Sequence, residues 1–392
     1  MSTVLPSEKT ESRDAKTGAR VIRWTASPAK DQHLYFTSPS VTDDDRWLVM
    51  MSERTGDPNL FAIDRRSGEF HPISDNRAGL LHAYVYPYGG DTGLSKASPA
   101  LDAHSGTIVW IQDQALWTAK VADSIEPARR VCALPERMVS GFTHVSKGGA
   151  FACVPVAAPE AFVEKTKVQG GQMAAAFRAF IEKGLESLIL VVDLKTGEVV
   201  DELSMPFWVT HVVFCPTDPS KIIFNQEGGG VSQRTWAWQR AAPGVPRAKV
   251  GGRPLYPQPA SEWMCHENYD RSGEFIIAHG GRRADAGSIA HKQIWFDKRD
   301  FNGRLLGRYT TDGTGTGHAV MGTDGKTVVM DPREHIWTWN METGETQILC
   351  EHGSSAREQD CHVHPVMTAD GRGVVFTSDR EGVANVYEWR AE

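Results

Sequence analysis

No apolar run in this 392-residue sequence approaches the ~18 residues that a membrane span requires. The start, Met1-Ser-Thr-Val-Leu-Pro-Ser-Glu, has no basic stretch followed by an apolar one, so a signal peptide is not expected. The six cysteines (132, 153, 215, 265, 350 and 361) form no CxxC pair. Neither a disulfide framework nor a zinc knuckle is indicated, and a reducing cytoplasm is the simplest home. Excess positive charge is also lacking. Lys plus Arg total 42 against 49 for Asp plus Glu, a net charge of −7. Nucleic-acid binding, which needs a basic footprint, is therefore not expected. GxSxG and HExxH are absent, and no paired carboxylates stand out. Gly228-Gly-Gly230 is followed by no Lys and no helix pattern, so it is not a phosphate-cradling loop.

What is present is a repeat. Thr42-Asp-Asp-Asp-Arg-Trp-Leu-Val-Met-Met-Ser-Glu-Arg-Thr-Gly near the start matches Thr368-Ala-Asp-Gly-Arg-Gly-Val-Val-Phe-Thr-Ser-Asp-Arg-Glu-Gly near the end. Each reads as a polar Asp-rich turn, an apolar strand, and a second turn with Arg and Gly. Weaker copies begin at Leu101, Val145, Cys215, Asp270 and Thr323, at intervals of roughly 45 to 70 residues. Several short strands per unit at such a period are the mark of a β-propeller. Turns from Asp64, Asp193 and Asn340 each place Gly where a tight hairpin needs positive φ. The expected fold is all-β: a single-domain, seven-bladed β-propeller over residues 17–392, after a flexible segment 1–16. The strand Arg20-Val-Ile-Arg-Trp-Thr is expected to complete the last blade and close the ring. Two stretches break the pattern. Gln172 to Lys183 reads as a short amphipathic helix inserted in the third blade. Leu80 to Gly93, rich in Tyr and Gly, reads as a loop over one face of the ring.

Histidine is plentiful, at 14 residues. In Gln359-Asp-Cys-His-Val-His-Pro, an extended backbone would put His362 and His364 on one face, with Cys361 pointing away. Gln359 would join them only across a bend or bulge. The repeat places further histidines in the same register, just before the turn of each unit: His318, His266, His211 and His144. A propeller aims these positions at its axis. Imidazole-rich sites suit Zn, Mn, Fe, Ni or Cu. For His144 and His211 the plainer reading is favoured, hydrogen bonding in the channel. Arg234, beside Trp236 and Trp238, is of the type that grips a carboxylate with two oxygens, but alone reads as a surface or blade-edge residue. Cys265 and Cys361 read as buried blade residues rather than ligands.

Taken together these residues resemble the oligogalacturonate lyases, seven-bladed propeller enzymes of bacterial pectin degradation. The resemblance runs from Thr17 to Tyr387 and is strongest in the C-terminal half. It is carried by His362-Val-His364-Pro365 with Gln359 before it, by Phe376-Thr-Ser-Asp379, by Gly317-His318-Ala-Val-Met, by Met264-Cys-His266-Glu267-Asn and by the hairpin Asp193 to Glu198. It implies a Mn²⁺-type metal site on His318, Gln359, His362 and His364, and catalytic roles for Arg234 and His266. Val363 replaces the family's first Pro of this element, and Gln32-His33 is shifted by one residue from the family's Cys-His, so the resemblance carries no substrate role over to His33. The implied substrate is a short oligogalacturonide, saturated or 4,5-unsaturated digalacturonate. The implied reaction is β-elimination at the uronate C5, with Arg234 or His266 as base; His266 is the easier assignment because free Arg stays protonated. The competing readings are a lyase for another uronate oligosaccharide, a non-catalytic binding platform and a metal-dependent hydrolase.

Overall fold

The computed structural model describes residues 3–86, 88–162, 169–228, 231–241, 251–285, 291–311 and 317–392. Gly229 and Gly230 of the triple glycine lie outside these residues, as do the first two residues of the segment 1–16. The chain forms seven antiparallel sheets of four or five strands, in chain order around a ring. Their innermost strands are Asp31–His33, Ala100–Asp102, Val139–Ser140 with His144–Val145, Val212–Cys215, Glu262–Tyr269, Ala319–Met321 and Val366–Met367. This is the seven-bladed propeller that the repeat predicts.

The repeat's Asp-rich turn has a physical basis. In the first blade the Thr42 hydroxyl donates to Asp44 Oδ1 at 2.6 Å and accepts from the Trp47 amide at 3.1 Å. In the seventh, Thr368 donates to Asp370 Oδ1 at 2.6 Å and accepts from the Gly373 amide at 2.9 Å. The same short side chains stand in for a backbone turn at both ends of the chain. The three Gly-containing hairpins form as expected, with Gly68, Gly197 and Gly344 at φ 82°, 77° and 76°.

The core is a set of apolar wedges between neighbouring blades. Val49, Leu60, Ile108 and Trp110 fill the gap between the first and second blades. Val329, Ile336, Val374 and Phe376 fill that between the sixth and seventh. The ring closes where Arg20–Arg23 pairs antiparallel with Tyr387–Arg390. Buried Glu388 clasps the seam: it accepts from Arg65 Nη2 at 2.6 and 2.7 Å and from Trp24 Nε1 at 3.0 Å.

Segment 1–16 is not wholly irregular. Thr10–Arg13 adds a fifth strand to the closing blade, paired with Arg20–Arg23. All four of its residues are exposed. Backbone pairing to an open sheet edge forms this strand without any apolar signal in its sequence. The helix of the third blade runs Gln169–Lys183, beginning slightly earlier than its apolar pattern indicates. Ala176 and Phe180 are buried but Ile181 is exposed. Phe180 stacks on Trp208 at 6.2 Å, and Trp208 meets Tyr84 edge-on at 5.2 Å. The helix thus props the 80–93 loop, whose Tyr84 and Tyr86 are buried and whose Tyr88 is exposed. Pro87 of that loop lies outside the described residues.

Candidate metal centre and active site

At one end of the central channel His318, His362 and His364 converge, with one ring nitrogen from each lying within 4.8 Å of the others. The route to this arrangement differs from a plain strand. Gln359–Cys361 is a single 3₁₀ turn, closed by the Cys361 amide donating to Glu358 O at 3.0 Å. His362 follows in extended geometry at φ −65°, ψ 137°. His364 then takes a left-handed φ of 45°. The alternation expected of an extended segment is therefore broken, and the bend brings Gln359 to the same cleft as His362 and His364. Cys361 is buried, and its thiol donates to Glu358 O at 3.2 Å, so it locks the turn and does not face the cluster.

Two contacts hold the histidines. His318 Nδ1 lies 3.1 Å from Asp331 Oδ2, and its amide donates to Asp331 Oδ1 at 2.5 Å. This directs Nε2 of His318 away from Asp331, as outer carboxylates do for metal-binding imidazoles. Sequence reading missed Asp331. Its only trace is the pairing Ala319↔Met330, which places the next residues, His318 and Asp331, side by side. Gly317 is required here, because a Cβ would collide with the Asp331 carboxylate. The second contact is His33, whose Nδ1 lies 2.7 Å from Thr377 Oγ1 and whose Nε2 lies 2.7 Å from His364 O. Both ring nitrogens are engaged, so His33 braces the unusual backbone at His364 and has no nitrogen left for substrate.

The cluster is built for neutral imidazole. Burial pushes the His362 pKa down to about 4, and burial with the neighbouring His318 and His362 pushes His364 well below the usual range. His364 Nε2 is buried with no hydrogen-bond partner. An orphaned buried acceptor is costly, and a cation at the centre of the three rings would satisfy it. A donor set of neutral imidazoles with an amide oxygen from Gln359 suits a transition metal better than Ca²⁺ or Mg²⁺.

His266 lies beside this cluster, its ring 4.9 Å from that of His318. It sits at a bulge between Cys265 and Asn268, with φ 54°. Its Nδ1 is 3.4 Å from Nδ1 of His279 on the adjacent strand, which leaves Nε2 as the nitrogen not engaged by His279. Burial, then His318 and His279, hold its pKa well below the usual value. Cys265 is half-buried rather than fully buried. Phe36 packs under His266, His318 and His364 at 5.3 to 5.8 Å.

Arg234 is not a surface residue. It is 4 % exposed and bridges two buried carboxylates, Glu227 at 3.3 Å and Glu267 at 3.5 Å. These carboxylates were not singled out in the sequence because they lie 40 residues apart and meet only around the guanidinium. Burial opposes the charge on Arg234, but Glu267 and Glu227 outweigh it and hold its pKa above even the usual arginine value. His211 joins this group, with Nδ1 3.5 Å from Arg234 Nη2 and Nε2 3.1 Å from the Tyr35 hydroxyl. His144 lies apart, accepting from the Phe214 amide at 3.3 Å. Neither His144 nor His211 belongs to the converging group of His318, His362 and His364.

No family model matches the chain. In sequence it is 25 % identical over 221 residues to the oligogalacturonide lyase of Pectobacterium atrosepticum, and 23 % identical over 219 residues to the oligogalacturonate lyase of Dickeya dadantii. Each match covers 51 % of this chain and 54 % of the relative, so the chain spans about half the length of the curated relatives it matches. Among solved structures it is similar to an oligogalacturonate lyase in complex with manganese, with a TM-score of 0.81 and 19 % identity over 100 % of this chain and 98 % of the other. An oligogalacturonate lyase from Vibrio parahaemolyticus gives 0.79 and 16 % over 99 % and 98 %. A hydrazine synthase from Kuenenia stuttgartiensis gives 0.53 and 10 % over 92 % and 96 %. These structural likenesses establish the fold; propellers of one shape host unrelated chemistries.

Proposed function

We propose that the chain is an oligogalacturonate lyase: a metal-dependent enzyme that cleaves short oligogalacturonides, saturated or 4,5-unsaturated digalacturonate, by β-elimination. The observation that carries this reading is the convergence of His318, His362 and His364, with the buried Nε2 of His364 lacking a partner. Lyase-named relatives in sequence and fold support it. His318, Gln359, His362 and His364 would hold the cation, and Mn²⁺ is the favoured ion because a structural neighbour is described with manganese. When bound, the cation would neutralise the uronate carboxylate and stabilise charge developing at C5.

The chain's own residues would do the rest. His266, uncharged and adjacent to the cluster, would take the C5 proton. As that C–H bond breaks, the C4=C5 double bond would form and the C4–O4 bond break; O4 would leave with the bonding electron pair and take up a proton, matched by the one His266 gained, so no water is consumed. Arg234 keeps its proton between Glu227 and Glu267, which suits a fixed positive charge near the uronate and not a base. The products would be of the 4-deoxy-5-keto-uronate type. Six free cysteines suit the cytoplasm, where short imported saccharides would be the substrate. No helix among the described residues is long and apolar enough to cross a membrane.

The test is ultraviolet absorbance of the unsaturated uronide on mixing the protein with digalacturonate, with chelator and then with Mn²⁺ restored, and product masses read in parallel. Cleavage lost to chelator and regained with Mn²⁺ is expected. No cleavage with any divalent metal would overturn the reading.

A further inference from the structure

The cleft beside the histidine cluster contains a charged group that the reaction does not use. Lys96 lines it together with Gln32, Tyr86, Gln359, His362 and His364. Lysine is among the residues least often buried, yet Lys96 is only 3 % exposed. Its ammonium contacts the Asp360 carboxylate, donates to Glu53 Oε1 at 3.0 Å and lies 5.2 Å from the centre of the Tyr86 ring. Asp360 is equally buried, and its second oxygen accepts from Lys30 Nζ at 2.9 Å. Three separate parts of the chain meet here: Lys30 and Glu53 flank strands of the first blade, Lys96 lies on the way into the second, and Asp360 lies before the seventh.

Asp360 is the middle residue of the Gln359–Cys361 turn. Gln359 precedes it and His362 follows Cys361, so the orientation of Asp360 sets the orientation of both. It is not itself in the converging cluster. Burying an ion pair is a poor way to gain stability, since apolar replacements are often as stable. An ion pair does fix direction, because a carboxylate with both oxygens engaged cannot rotate freely.

We propose that Lys96 and Asp360 are positioning residues that hold the 359–361 turn so that Gln359 and His362 face the same point as His318 and His364. This rests on the metal reading above. Outer groups of this kind typically change metal affinity by about 10- to 100-fold.

The test uses the full chain, stripped of metal, titrated with Mn²⁺ and followed by the electron paramagnetic resonance signal of the free ion. The variants are Lys96→Met and the double variant Lys96→Met with Asp360→Asn. The double variant leaves no deeply buried carboxylate uncompensated, because Glu53, the other partner of Lys96, is partly exposed to solvent, so it carries the test if Lys96→Met fails to fold. Circular dichroism of the metal-free protein reports folding separately. The expected result is a folded double variant whose Mn²⁺ affinity is about 10- to 100-fold weaker than that of the natural chain. A purely structural role would lower thermal stability and leave the affinity of the folded fraction unchanged, and that result overturns the proposal. Failure of the natural chain to bind Mn²⁺ at all would instead overturn the metal reading on which the proposal rests.

Discussion

The third and fourth blades and the sixth and seventh blades carry histidines in the same register, yet they serve different ends. His318 ends beside a buried carboxylate, Asp331, and two further imidazoles. His211 ends beside a buried cation, Arg234, and a tyrosine hydroxyl. Facing the axis is common to both; the neighbours decide. A carboxylate behind an imidazole strengthens it as a donor to a metal, whereas the guanidinium beside His211 is already held by Glu227 and Glu267. The ring thus sets an imidazole cluster next to a closed ion-pair group, with Tyr35 touching both, its ring 4.7 Å from His364 and 5.5 Å from His211.

Removing a histidine from the imidazole cluster should break the contrast most severely. His362→Ala is expected to abolish Mn²⁺ binding and nearly all lyase activity while the propeller's thermal transition persists. Calorimetric titration checks it, and a variant with full activity in metal-free buffer would refute the metal role. The matching change in the ion-pair group is Arg234→Met. It would leave Glu227 and Glu267 buried without their cation, which should cost about 3–5 kcal/mol of stability while Mn²⁺ binding survives in the folded protein. Denaturant unfolding with parallel metal titration separates the two effects.

A smaller effect is expected from Asp331→Asn. His318 would remain in place but lose its anionic partner, and Mn²⁺ affinity should fall by about 10- to 100-fold, less than for loss of a histidine. Equal losses for Asp331→Asn and His362→Ala would show that Asp331 holds the site together instead of tuning it.

The mildest prediction concerns pH. Burial holds His144 at about 4, and burial with Arg234 holds His211 at about 3, against the ~6.5 of an unfolded chain. The unfolded state binds more protons between these values, so stability rises with pH through this window. Their contribution is fully present above pH ~6.5 and declines as pH falls toward the folded values. The melting temperature of metal-free protein should fall on acidification from pH 7 to 4.5. Replacing His144 by Gln should flatten that fall without altering Mn²⁺ affinity at pH 7.5; an unchanged acid slope would remove His144 from the account.

Much of the fold is legible because its units are local. A Thr or Asp hydroxyl or carboxylate closes each turn within a few residues, as at Thr42 and Thr368, so the repeat is written in the chain itself. The closing strand is legible too, since Arg20–Arg23 has a blade's pattern and no blade of its own. The edge strand Thr10–Arg13 is not, because an exposed strand paired on one side needs no apolar residue. His318, His362 and His364 were marked by residue type and register, and Gln359 by the resemblance alone. What surrounds them was not. Asp331, Lys96, Asp360, Glu227 and Glu267 are ordinary charged residues until pairing between strands and between blades buries them.

The sequence by itself determined the seven-fold repeat, the turns that punctuate it and the histidines aimed at the axis, because periodicity and short-range hydrogen bonding act within a unit. The tertiary structure alone decided which histidines meet, which carry a carboxylate behind them and which face a guanidinium. Those outcomes depend on contacts between residues up to several hundred positions apart, such as His33 with His364 and Lys96 with Asp360. Burial then gives these contacts their strength, since charges and imidazoles interact far more strongly once water is excluded.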